Sequence, residues 1–387
     1  FSLKEKDSLN KSSLEIYNAI YFEELKYKFQ QSSVDDFFGN AFLPQEINDQ
    51  IFLNTLNVEA KLLYKSANLG NVNLGLRYVG DKYSLDNYEL NEFVDNFSEI
   101  NSKTTFFLAD YSKKLKGLDL KIYSENYIFG DNNSNLFVSD LRINLKNENF
   151  LLLRYKLASA SPNYNYLLYT SNYESYNWNN QFDNTLSNSL AFQFKLKKIL
   201  DLDVNLISVR KHIQFEKKLF ESADGELGNI IMPVQSNGEL DLLKINLKRK
   251  INFGKFSIDS RLMFQKSISD NIINIPEIIS RNTIYFSTDM FQKSLFLQTG
   301  FGIKYFSKYY MNGYDPLLSE LYLQNDKKIG EFPLIDFFIN AKIQQTSLYF
   351  KFEHLNSSFT GYNYYSAPNY PYRDFTFRFG LVWKFFM

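Results

Sequence analysis

Alternation with a period of two residues runs through nearly the whole chain and constrains its fold more than any other feature. Leu56, Val58, Ala60 and Leu62 alternate with Asn57, Glu59 and Lys61. Leu190, Phe192, Phe194 and Leu196 alternate with Ala191, Gln193 and Lys195. At the end, Phe375, Phe377, Phe379, Leu381, Trp383 and Phe385 oppose Thr376, Arg378, Gly380 and Lys384. Successive side chains of a strand point to opposite faces, so each segment makes a strand with one apolar and one polar face. The chain is therefore all-β.

Alternation alone leaves two architectures open, a soluble sandwich and a membrane barrel, which carry the same pattern turned inside out. The links between segments separate them, because short and long links alternate. Short ones are Lys113–Gly117, Lys146–Glu148, Lys197–Ile199, Asn252–Lys255, Phe291–Lys293 and Gln345–Ser347. Between them lie the longer Gly80–Ser102, Ile128–Asn135, Ser161–Asn184, Gln214–Gly238, Ser267–Ser280, Phe306–Pro333 and Asn356–Arg373. Short periplasmic turns and long extracellular loops are the habit of transmembrane antiparallel up-and-down β-barrels. Counting hairpins gives about 16 strands, within roughly 14 to 18, provided that a first strand lies near residues 20–30, where Leu25, Tyr27 and Phe29 alternate with Lys26, Lys28 and Gln30. An amphipathic helix over 12–30 is the alternative there. Residues 1–387 read as one barrel, with 1–53 an N-terminal segment holding the first strand and a loop.

Composition agrees with a barrel. Aromatics make up 18% of the chain, yet mean hydropathy is −0.33 and no run nears the length of a membrane helix. Lys plus Arg and Asp plus Glu are both 43, so no global field favours nucleic acid. With no cysteine there is no disulfide scaffold and no Cys-ligated metal site. The chain begins at Phe1 without a leader, as expected of a processed or N-terminally incomplete chain. The Asn- and Tyr-rich Ser161–Asn184 loop is expected to be solvated rather than packed. The last strand has the form of an outer-membrane terminal signal and is expected to close against the first, its aromatic face in lipid.

Several stretches resemble the putative porins of Bacteroidota. They include Ser171-Asn172-Tyr173 followed by Trp178-Asn179-Asn180-Gln181-Phe182, Ile275-Pro276-Glu277, and Tyr314-Asp315-Pro316 before Gln324. Phe291-Gln292-Lys293, Gln298-Thr299-Gly300 before Tyr305, Ile329-Gly330 before Pro333, Ala367-Pro368-Asn369-Tyr370-Pro371 and the terminal Arg378-Phe379-Gly380-Leu381-Val382-Trp383-Lys384-Phe385 complete the set. The resemblance runs from about residue 165 to the end, and more weakly from about 55; family members carry a longer strand-rich N-terminal region. It implies an outer-membrane location and a porin-like role.

The polar-face charges Glu59, Lys61, Arg77, Lys121, Arg142, Arg154, Lys156, Lys195, Asp259, Arg261, Asp336, Lys342, Lys351, Glu353, Arg378 and Lys384 are the candidate pore lining. These charges either line a water-filled lumen or pair across it and brace it. Phe375, Phe377, Phe379, Leu381, Trp383 and Phe385 are the candidate lipid-facing set. Tyr64, Tyr78, Tyr111 and Tyr127 fit interfacial girdles. His212 and His354 are the only histidines; His354 near Ser357 and Ser358 lacks an ordered Asp partner, so catalysis is not expected. Asp131-Asn132-Asn133-Ser134-Asn135 reads as a polar turn, since Leu136 stands where a calcium loop needs Gly. Gly300-Phe301-Gly302 sits inside a strand and is no phosphate loop.

The sequence thus points to passive diffusion of small hydrophilic solutes, with outer-membrane lipids around the wall and no cofactor. The alternative is a filled barrel that serves other outer-membrane proteins as a structural subunit. Two outcomes are expected. Phe379→Arg costs about 2–4 kcal/mol of stability in bilayers; unchanged stability would mean the faces are reversed. Charge reversal at Arg142 or Arg154 shifts the reversal potential of a salt gradient, and unchanged potentials in both variants would remove them from the lining.

Overall fold

The computed structural model describes residues 2–4, 12–86, 99–197, 199–221, 227–269, 273–360 and 364–385. Phe386 of the terminal strand and parts of several expected loops, such as 87–98 and 222–226, lie outside the described residues. Sixteen long strands follow one another as antiparallel neighbours. They are β1 (Ser12–Gln31), β2 (Ile47–Ser66), β3 (Gly70–Leu85), β4 (Glu99–Leu115), β5 (Leu118–Gly130), β6 (Asn135–Asn144), β7 (Phe150–Ala160) and β8 (Thr185–Leu196). The order continues with β9 (Leu200–Arg210), β10 (Glu239–Phe253), β11 (Phe256–Ser267), β12 (Ile278–Met290), β13 (Leu295–Phe306), β14 (Leu334–Ile343), β15 (Thr346–Glu353) and β16 (Thr376–Trp383). This is an up-and-down antiparallel barrel wall with short turns at one end and long loops at the other. The helix alternative for residues 12–30 is excluded, since Ser12–Gln31 is a strand paired with β2 along its whole length.

Register fixes the two faces, because directly opposed residues of an antiparallel pair share a face. Glu59 opposes Arg77, Arg77 opposes Phe106, and Phe106 is buried while its neighbour Phe107 is exposed. The long loops pack on the Phe106 face, which is the inner one. The other face carries exposed Ile16, Ile20, Phe22, Leu62, Leu76 and Leu153 and is the lipid side.

The strands are unequal. β1 and β2 each have 20 residues, whereas β15 and β16 each have 8. A barrel strand crosses a bilayer in about 9–11 residues, so β1 to β4 rise well beyond it and form a tall backing for the loops. The expected pairing of the last strand with the first is absent among the described residues. The free edge of β1 instead pairs with the short strand Ser2–Lys4, which opposes Ser13–Glu15. Those residues lie at the turn end of β1, so the short strand covers three positions of that edge.

Turns follow local chemistry. Gly117, at φ 79°, makes the tight link from β4 to β5, a backbone region that a side chain disfavours. Within β13, Gly300 opposes Tyr285 and Phe338, and a methyl group there would run into the Ile284 carbonyl oxygen and Tyr285. Gly300→Ala should therefore cost about 1–3 kcal/mol by overpacking. Urea unfolding in lipid vesicles checks this; an unchanged midpoint would show that the wall has slack at this point.

Candidate functional site

The loops at the extracellular end fold onto the inner face as a packed core. Phe38, Ile47, Tyr169, Tyr173, Tyr176, Phe215, Leu317 and Leu318 form it, each 8% exposed or less. They come from the 32–46, 161–184, 211–238 and 307–333 segments, with Ile47 from the top of β2. Burying each large side chain contributes about 1.5–3 kcal/mol. Phe38 lies 5.0 Å from Tyr173 and Tyr169 stacks on Trp178 at 5.1 Å. The expectation that 161–184 is solvated is thus overturned. Its tyrosines bury their rings while its asparagines satisfy backbone groups that would otherwise need water. Asn172 donates to the Leu43 carbonyl (2.8 Å) and accepts the Leu43 N–H (3.0 Å). The Asn177 amide closes its own turn onto the Ser171 and Tyr173 carbonyls.

This segment leaves the wall between β7 and β8 and reaches β1 and β3. The Tyr173 hydroxyl donates to the Gln31 side-chain oxygen (2.8 Å), and Tyr83 donates to the Leu168 carbonyl (3.0 Å). The 307–333 loop reaches the inner face of β1, where the Tyr27 hydroxyl meets the Pro316 and Leu317 carbonyls at 3.0 and 2.8 Å. The Tyr176 hydroxyl donates to Asp315 (2.7 Å). Burial pushes the Asp315 carboxyl up, against the pull of the Leu318 N–H and Tyr176, and it pushes the Tyr176 and Tyr169 hydroxyls up strongly. The core therefore straps the mouth and ties β1 and β3 to the loops that leave the wall after β7 and β13.

Beside the core lies a cavity of about 1270 Å³, lined among others by Asp81, Tyr83, Ser102, Asn132, Tyr164 and Glu320. Tyr164 stacks on Tyr83 at 5.5 Å and donates to Asp81 at 2.9 Å. Asn165 donates to Glu320 at 2.7 Å, and burial raises the Glu320 carboxyl. Asn132, Ser134 and Ser161 bond to one another, so the 131–135 stretch is a self-satisfied polar turn. His354 is 1% exposed, with Nδ1 2.7 Å from the Arg373 carbonyl oxygen, and it packs edge-on against Tyr364.

Below the mouth, register places all thirteen principal candidate charges on the inner face: Lys61, Arg77, Lys121, Arg142, Arg154, Lys156, Asp259, Arg261, Asp336, Lys342, Lys351, Glu353 and Arg378. The aromatic set of the last strand falls on the other face, Phe379 at 72% exposure. The ion pairs run along the wall. Arg154 grips Asp140 with two 2.7 Å bonds from the neighbouring strand. Arg77 pairs with Glu125, and Lys61 with Glu59 at 2.6 Å. Asp336 meets both Lys304 and Lys351 at 3.3 Å; Lys351 meets Glu353 at 2.7 Å, and Glu353 meets Arg378 at 3.0 Å. Arg142 lies over the Phe150 ring at 3.9 Å. Sequence reasoning missed Lys248, Arg281 and Lys304, although each stands at the polar phase of its own strand.

An antiparallel wall with polar inside and apolar outside defines an outer-membrane β-barrel. The chain belongs to the putative porin family, whose profile matches residues 1–387, and its place is the bacterial outer membrane. No curated protein matches it. Among solved structures it is similar to the siderophore receptor PirA from Acinetobacter baumannii (13% identity, TM-score 0.58, 98% of this chain and 61% of that one). It is also similar to a mutant of the ferric enterobactin receptor PfeA from Pseudomonas aeruginosa (12%, 0.64, 96% and 61%). The copper transporter OprC is a third (10%, 0.60, 89% and 58%). At these identities the likeness is one of fold, and the chain spans about three fifths of the length of the receptors it matches.

If the strap is a packed core, Tyr173→Ala should cost it about 3–5 kcal/mol. External protease should then cut within 161–184 while the wall keeps its heat-modifiable gel migration. Equal resistance in variant and parent would show that the loops are held by something other than this core.

Proposed function

We propose that the inner face lines a water-filled lumen through which small hydrophilic solutes cross the outer membrane by passive diffusion, entering beside the loop core. The observation that carries this reading is the direction of the ion pairs. They join residues on the same or nearby strands, Lys61 to Glu59, Arg154 to Asp140 and Lys304 to Asp336. Charges that lie flat along a wall leave its centre open to water, whereas pairs spanning the lumen would fill it. Diffusion down a gradient needs no cofactor or energy source. Membership of the putative porin family agrees.

A second reading is favoured by one feature, the strap itself. Eight buried side chains across the mouth are more than a mobile lid requires, and a capped barrel could serve as a structural subunit of a larger outer-membrane complex. Single-channel recording in a planar bilayer separates the two. Diffusion predicts stable steps on the order of a nanosiemens. Clean insertion without conductance would contradict it and leave the capped barrel.

A further inference from the structure

On one side of the wall, like charges stand directly opposite one another. Lys248 on β10 is the register partner of Arg261 on β11. Arg261 is the partner of Arg281 on β12, and Arg281 of Lys304 on β13. Four consecutive strands thus present cations in one row on the inner face. Neighbouring strands are about 4.8 Å apart, so the row spans roughly 14 Å. Directly opposed like charges destabilise a sheet, and acids offset them only at the two ends of the row, where Asp201 of β9 stands opposite Lys248 and Asp336 meets Lys304. Among the described residues Lys248 and Arg281 have no ion pair, Arg261 has only a long contact to Asp259 (3.9 Å), and Lys304 shares Asp336 with Lys351.

The row also climbs. Lys248 stands in the turn-side half of β10, whereas Arg281 and Lys304 stand near the loop ends of β12 and β13. Because successive strands are staggered, a line perpendicular to them rises along the lumen. At its upper end lies a pocket of about 310 Å³. Its charged lining is Arg281, Lys304 and Lys351 against Asp336, with Glu353 just beyond it on Lys351 (2.7 Å) and the amides of Gln298 and Asn340 beside them. The floor includes Gly302, between Thr283 and Asp336, where the missing side chain leaves room.

We propose that Arg281, Lys304 and Lys351 form a binding site for small oxyanions on the inner wall, with Lys248 and Arg261 as the track that leads to it. The ligand class is a phosphate, sulfate or carboxylate group on a small solute. A guanidinium offers such a group two parallel N–H donors, and ammonium groups on either side add charge. A bound oxyanion would lower the repulsion within the row. This rests on the diffusion reading for its role in transport, since it names which solutes the lumen favours, but the site itself can be assayed without it.

The test is equilibrium dialysis of the full chain in detergent against labelled inorganic phosphate. The assembled protein should bind phosphate saturably and more weakly as salt is added. Arg281→Ala and Lys304→Ala should each weaken binding at least about tenfold, and Lys293→Ala, in the turn beyond β12, should not. Arg281→Lys keeps the charge but loses the fork and should fall between. Heat-modifiable migration certifies assembly of each variant. Absence of saturable binding by the assembled parent, or an affinity in both alanine variants unchanged from the parent's, overturns the site. Phosphate binding without any conductance in bilayers would contradict the diffusion reading and leave the site standing.

Discussion

Every feature of this protein depends on strand register. A backbone inside lipid has no water to bond with, so each N–H and C=O of the wall has to be met by a neighbouring strand. Once those ladders are set, the side chains have only two places to go. A slip of one residue in β11 would turn Arg261 into lipid and bring Leu262 inside. The burial of Phe106 beside exposed Phe107, the alignment of the ion pairs and the row of cations all follow from the same pairings.

Among the described residues the ladder joins each strand to the next from β1 to β16. The mouth is built on the tallest strands. Strands β1 to β4 overshoot the bilayer, and the loops use their inner faces as a backing. The 161–184 strap comes from between β7 and β8 and the 307–333 loop from between β13 and β14, and they meet at Tyr176 and Asp315. One aromatic core thus holds together parts of the wall that the ladder does not pair directly.

Much of this was legible in the sequence because period two is a local signal. Strands from Ile47 to Trp383, the alternation of short and long links, and the shared face of Lys61, Arg77 and Arg378 can be read from neighbours one and two residues apart. The loop core could not be read in that way. Asn172 and Tyr173 resemble solvated loop residues until Leu43 and Gln31, far away in sequence, take up their polar groups. The cation row was equally hidden, since Lys248, Arg261, Arg281 and Lys304 become neighbours only once four registers are known. The exchange of partners at the free edge of β1 depends on where a three-residue strand lies, and alternation says nothing about that.

The account stands on the claim that the charged face is wet and the aromatic face is in lipid. The chain has no cysteine, so single cysteines can be introduced without background. The most direct measurement places a spin label in turn at residues 258 to 264 of β11, in vesicles, and reads its collisions with oxygen and with a water-soluble nickel chelate. The account predicts that positions 259, 261 and 263 favour the chelate and that 258, 260, 262 and 264 favour oxygen. The opposite phase, or no alternation along the strand, would contradict it.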